Sequence, residues 1–153
     1  MTLYSSTRGQ VKNLTFEETV MMGLADDGGL LVPNEFPQVS NKLKKWRPLG
    51  YKELSLEIMN LFTKESLPRE DLKFLIQKSY KNFRHPKITP TKLVGNINIL
   101  ELFHGPTFAF KDVALQFLGN LFEYFLNKHD HPLRILGATS GDTGSAAING
   151  LNG

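Results

Sequence analysis

The sequence predicts an α/β protein. A mostly helical first part (1–92) is followed by the opening strand–helix units of a parallel sheet (93–153). Three observations carry this. Apolar residues recur at helical spacing through the first ninety positions. RHPKITPTK (84–92), polar and holding two prolines, reads as a boundary. Beyond it the pattern runs strand, loop, helix, strand, loop, helix, the order of parallel strands joined by right-handed crossovers.

The elements follow in order. In LTFEETVMMGL (14–24), Thr15 and Glu18 form a Thr-x-x-Glu capping box, and Phe16, Val20 and Leu24 share one face. DDGG (26–29) is a turn, and LLVP (30–33) is a short strand closed by Pro33. A helix over 51–63 places Tyr51, Leu54, Ile58, Leu61 and Phe62 on one side. Another over 68–83 opens with Pro68 and buries Leu72, Leu75, Ile76, Tyr80 and Phe83. INILELF (97–103) is a nearly continuous apolar run, as expected of a strand covered on both faces. HGPT turns the chain into a helix over 111–127, where Ala114, Phe117, Leu118, Leu121, Phe122 and Phe125 make a broad apolar stripe. LRILGA (133–138) reads as a second buried strand, TSGDTG (139–144) as a loop, and SAAINGL (145–151) as a helix start.

Composition narrows the function. The chain of 153 residues is 41% apolar and 22% charged, enough for a core in an ordinary globular domain. A net charge of +3 is too small to argue for nucleic acid. KSYKNFRHPK (78–87) and KLKKWR (42–47) supply most of the excess, and the former follows a helical pattern that reads as a solvated face. With no cysteine there is no disulfide, thiol nucleophile or Cys-ligated zinc, and a cytoplasmic location is expected. The N-terminus lacks the apolar segment of a signal peptide, and no run approaches the ~20 residues of a membrane span. His85, His104, His129 and His131 lack metal-ligand spacing, so no metal site is expected.

Lys111 is the residue that breaks local rules. It follows Phe108 and Phe110 where a helix begins, and a cation there opposes the helix dipole at a cost of ~0.3–1 kcal/mol. It is either a lysine that reaches water past the phenylalanines, balanced by Asp112, or a functional amine. In open α/β sheets ligands bind beyond the carboxyl ends of strands, so Lys111 and the TSGDTG loop should meet at one edge. That loop offers hydroxyls at Thr139, Ser140 and Thr143 and flexible backbone at Gly141 and Gly144, suited to a carboxylate or phosphate. The same residues also serve as ordinary helix caps. Asp142 would repel an anion and needs another partner, such as a hydroxyl or a cationic ring. The loop is neither a P-loop nor a dinucleotide fingerprint. An amine beside an anion loop suits a Schiff-base enzyme, because a neutral amine attacks carbonyls and apolar surroundings at a helix N-terminus favour that form.

The motifs resemble a known family. LFHGPTFAFKD (102–112) and LGATSGDTGSAA (136–147) are similar to threonine synthase and its threonine synthase-like relatives, as are LYSSTRG (3–9) and GLADDGGLLVP (23–33). The resemblance implies a pyridoxal-phosphate enzyme of the tryptophan-synthase β fold type (fold type II), a carbon–oxygen lyase acting on phosphates. It implies that Lys111 holds pyridoxal 5'-phosphate as a Schiff base. It further implies that Thr139, Ser140, Gly141 and Thr143 bind the substrate carboxylate, while Asp142 approaches the cofactor's 3-hydroxyl. The implied substrate is O-phosphohomoserine, which loses phosphate and gains water to give threonine.

The family's later phosphate-binding loop and the residue facing the pyridine nitrogen lie beyond the sequence, so the chain is expected to be an N-terminal portion, inactive alone. Two rivals stand beside threonine synthase. One is a phospho-lyase giving 2-oxobutyrate, ammonia and phosphate; the other is a non-catalytic binding or signalling module.

Overall fold

The computed structural model describes residues 2–129 and 134–151. By its internal contacts the chain forms two compact units, Met1–Lys73 and Phe74–Gly153, which divide inside a helix upstream of the boundary expected at 92/93.

In the first unit, β1 (Tyr4–Ser6) pairs antiparallel with β2 (Leu31–Pro33), Tyr4 opposite Pro33. β1 was not expected, since YSS shows no strand periodicity. The DDGG turn is tied back to it through Asp27. That carboxylate accepts from the Ser6 hydroxyl at 2.6 Å and from the Gln10 and Gly29 amides at 3.0 and 2.9 Å. A side chain at Gly29 would strike the Ser6 Oγ, since its Cβ would lie 2.0 Å away.

α1 (Phe16–Met22) opens with the expected capping box: the Glu18 amide donates to Thr15 Oγ1 at 3.2 Å, and the Thr15 amide to the Glu18 carboxylate at 2.8 Å. The helix ends at Gly23, leaving Leu24 outside it and exposed. The short α2 (Leu43–Trp46) was not expected, because four residues show no periodicity; it buries Trp46. α3 (Tyr51–Thr63) has the expected bounds. Its Leu54, Ile58, Leu61 and Phe62 line an apolar cleft with Trp46.

α4 (Arg69–Ser79) crosses the division between units and stops before Phe83. In the second unit Leu75, Ile76 and Tyr80 are buried. The Tyr80 hydroxyl donates to the Val113 carbonyl at 3.0 Å, and Asn120 Nδ2 donates to the Ser79 hydroxyl at 3.0 Å. These bonds fasten the end of α4 to α5 (Asp112–His129).

The sheet contacts differ from expectation in two places. Ile97–Leu100 forms β4, but it pairs antiparallel with β3 (Thr91–Val94) in a hairpin turned at Gly95, and all eight strand residues are exposed. TKLV, half polar and half apolar, supplies the partner, and no described layer covers either face. The segment 134–138 makes no strand pairing among the described residues, and Leu133 lies outside them. Nor is a parallel pair of strands formed among the described residues, because such pairing needs a neighbour that they do not supply. Along α5 the expected stripe is graded: Leu121 and Phe125 are buried, Phe117, Leu118 and Phe122 half-buried, and Ala114 exposed.

Candidate active site

Lys111 sits immediately before α5, half-buried, with its Nζ 4.4 Å from the centre of the Phe110 ring. The neighbouring Asp112, the counter-ion in one of the two readings of Lys111, is committed elsewhere. Asp112 is fully buried and turns back onto the preceding turn. Its carboxylate accepts the Thr107 amide and the Thr107 hydroxyl, each at 2.8 Å, and the Gln116 side-chain amide at 3.3 Å. Sequence neighbours at a helix start point in different directions, and the buried one takes local donors. Gly105 is required beneath this carboxylate, since a Cβ there would lie 2.4 Å from Asp112 Oδ2.

Just upstream, Glu101 is buried and anchors the end of the hairpin. It pairs with Lys92 Nζ at 2.9 Å and His104 Nε2 at 2.7 Å. Lys92 first, then His104, hold its carboxyl below the usual range.

α6 (Asp142–Leu151) starts inside TSGDTG, so Asp142, Thr143 and Gly144 belong to its first turn rather than to a free loop. Thr139 Oγ1 accepts the amides of Gly141 at 3.1 Å and Gly144 at 3.0 Å, the capping role that such residues favour. Gly141 has φ +133°, a conformation open mainly to glycine. Ser140, Gly141 and Asp142 are exposed.

Two glycines set how α6 meets α5. A Cβ on Gly119 would lie 1.7 Å from the Gly150 carbonyl oxygen, and one on Gly150 2.5 Å from the Leu115 carbonyl oxygen. Gln116 Nε2 also donates to the Ala146 carbonyl at 3.4 Å. These pairings make the helices parallel, with their N-terminal ends at the same place. Lys111 and Thr143 consequently line one open cleft of about 420 Å³, whose remaining walls include Leu102, Phe110 and Val113. Thr139 lines a different cleft, beside Ile135, Leu136 and Ile148. Of the residues expected at the site, the structure thus brings Lys111 and Thr143 together in one cleft.

Sequence reading missed Thr107, Gln116 and Arg84 as supports of this region. Among the described residues no group of His, Asp or Glu is arranged to hold a metal; His131 lies outside them.

The fold matches that of fold type II pyridoxal-phosphate enzymes: the PLP-bound threonine synthase of Brucella melitensis superposes with a TM-score of 0.94 at 40% identity, over 99% of this chain and 33% of that one. Residues 3–80 match the family model described as Threonine synthase N terminus. The chain is 53% identical to threonine synthase of Schizosaccharomyces pombe over 98% of its own length and 31% of that protein. It is 44% identical to threonine synthase-like 2 of Xenopus laevis over 97% of its length and 32% of that protein. The chain belongs to the threonine synthase family and carries the N-terminal portion. It spans about a third of the length of these relatives.

Proposed function

We propose that this chain is the N-terminal part of a pyridoxal-phosphate-dependent threonine synthase, which converts O-phospho-L-homoserine and water to L-threonine and phosphate. The observation that carries the reading is Lys111 sharing a cleft with Thr143 where α5 and α6 begin together. The donor set fits the cofactor. A primary amine meets its aldehyde, and Leu102, Phe110 and Val113 give the apolar walls that an aromatic ring needs.

Pyridoxal phosphate supplies an electron sink for charge developing on the substrate. The chain's own residues do the rest. Lys111 binds the group through its amine and, when free, takes and returns protons at the substrate's Cα and Cβ. The Thr143 and Ser140 hydroxyls and the amides at the start of α6 hold the substrate carboxylate, with Gly141 allowing close approach. Thr139 shapes that turn through its two amide contacts. Asp142, at the first position of α6, would be the partner of the cofactor's 3-hydroxyl.

The proposal includes a division into a helical domain, 1–92, and the start of the cofactor domain, 93–153, and a cytoplasmic location. Among the described residues no helix is long and apolar enough to cross a membrane.

The test is borohydride reduction of the complete protein in the presence of pyridoxal phosphate, followed by peptide mapping. The pyridoxyl group is expected on Lys111, and its appearance on another lysine instead would sink the assignment. A second reading, a phospho-lyase releasing 2-oxobutyrate, ammonia and phosphate, draws on the likeness to threonine synthase-like 2. Identifying the carbon product that the complete protein forms from O-phosphohomoserine separates the two, and absence of both products there favours a non-catalytic module.

A further inference from the structure

We propose that Arg84 is a positioning residue for Lys111, acting through the turn 104–108; this rests on the reading of Lys111 as the cofactor-bearing amine. Arg84 lies in the basic stretch that sequence reading assigns to a solvated face, and it is exposed, but its guanidinium is committed to that turn. Its guanidinium donates to the Gly105 carbonyl through Nη1, and to the Pro106 carbonyl through Nη1 and Nη2 at 3.3 Å each. Its own amide donates to the His104 carbonyl at 2.8 Å. The guanidinium carbon stands 4.0 Å from the centre of the Phe108 ring.

Phe108 is the reason the turn needs a clamp. Its φ is +62°, a left-handed conformation that a bulky aromatic residue adopts only where its surroundings fix it. Arg84 fixes it from one side, through the two carbonyls before it and the face of its ring. Asp112 fixes it from the other, through Thr107. From Phe108 onward there is little slack. The Asp112 amide donates to the Ala109 carbonyl at 3.0 Å and the Val113 amide to the Phe110 carbonyl at 3.3 Å. A rotation at Phe108 therefore swings the tight turn that carries Lys111. Lysine cannot replace arginine here, because the task needs a planar fork across two carbonyls and a flat face over a ring.

The experiment measures pyridoxyl incorporation at Lys111 of the complete protein after borohydride trapping, with labelling of the other lysines as internal control. Four versions are compared: unchanged, Arg84→Lys, Phe108→Gly and the double variant. Arg84→Lys is expected to lower labelling at Lys111 about 10-fold, within the ~100-fold that a 1 Å misplacement can cost. Labelling elsewhere and the thermal midpoint should stay close to those of the unchanged chain. Glycine adopts positive φ freely, so Phe108→Gly should label Lys111 almost normally. Adding Arg84→Lys to it should then cost no more than about 3-fold, the signature of coupled residues. Equal labelling in Arg84→Lys and the unchanged chain would overturn the proposal, as would full additivity in the double variant. If the unchanged complete protein does not favour Lys111 over other lysines, the cofactor reading itself has failed and the proposal falls with it.

Discussion

Asp112 accepts two hydrogen bonds from Thr107, one from its amide and one from its hydroxyl, both at 2.8 Å. The carboxylate is inaccessible to solvent, so these bonds decide whether the turn before Lys111 holds its shape. Asp112→Asn keeps one acceptor and sets an amide NH₂ against a remaining donor. A destabilisation of ~1–3 kcal/mol is expected, the cost of leaving a buried polar group unsatisfied. Denaturant unfolding of the two chains measures it, and an unchanged midpoint would contradict this account of the turn.

Gly119 offers a test with an unusual sign. Glycine to alanine inside a helix normally stabilises by ~1 kcal/mol. Here the new methyl would sit 1.7 Å from the Gly150 carbonyl oxygen, and backbone cannot yield as a flexible side chain does. Gly119→Ala should destabilise by at least ~1–3 kcal/mol, the range of overpacked cores. A thermal melt settles the sign.

The threonines of the loop should separate by role. Thr139→Ala removes the acceptor for two amides and is expected to cost ~1 kcal/mol of stability, as losing a helix cap does. Thr143→Ala leaves those contacts intact but alters the cleft beside Lys111. It should weaken substrate binding, with retained borohydride labelling at Lys111. A Thr143→Ala chain that loses the label instead would place Thr143 with the cofactor.

Glu101 should show in acid. Lys92 and His104 hold its carboxyl below the ordinary range, so the folded chain binds this proton less readily than the unfolded chain does. The stabilisation is complete above the ordinary value of ~4.3 and is lost as pH falls through the lowered one. Glu101→Gln should therefore lower the thermal midpoint at neutral pH and reduce its fall below about pH 4.3. Parallel acid-limb slopes for the two chains would count against the pairing.

The 153-residue chain alone is expected to release no phosphate from O-phosphohomoserine. Leu136 is fully exposed and Ile148 is 72% exposed, beside the cleft that Thr139 lines. Uncovered apolar side chains forfeit ~1.5–3 kcal/mol each, against total stabilities of ~5–15 kcal/mol. Inorganic phosphate is the readout, with Lys111→Ala as control; lysine-dependent release would overturn the expectation.

What was legible in the sequence was mostly local. The Thr15–Glu18 box and the run from Tyr51 to Thr63 carry their own signals, caps and period, and the structure places them as read. Lys111 and Thr143 were placed at one end by strand–helix order, and packing of α5 on α6 achieves this through glycines that periodicity does not weigh. Other features depended on distant partners. INILELF is apolar enough for a buried strand, but burial requires a covering layer, and among the described residues it has only the neighbouring strand TKLV beside it. Asp112 looked like the counter-ion of Lys111 because it is adjacent, while side-chain direction sends it to Thr107. Arg84 is exposed, as its basic stretch implies, but nothing local marks a residue that reaches across to residues 105–108.

The parallel packing of α5 and α6 also has an electrostatic consequence. Antiparallel neighbours largely cancel their fields; these two helices add theirs, each presenting about half an elementary charge at the shared end. The acidic residues that open them, Asp112 and Asp142, answer a single field rather than two separate ones. A negative side chain in the first turn of each helix therefore stands where the summed field favours it.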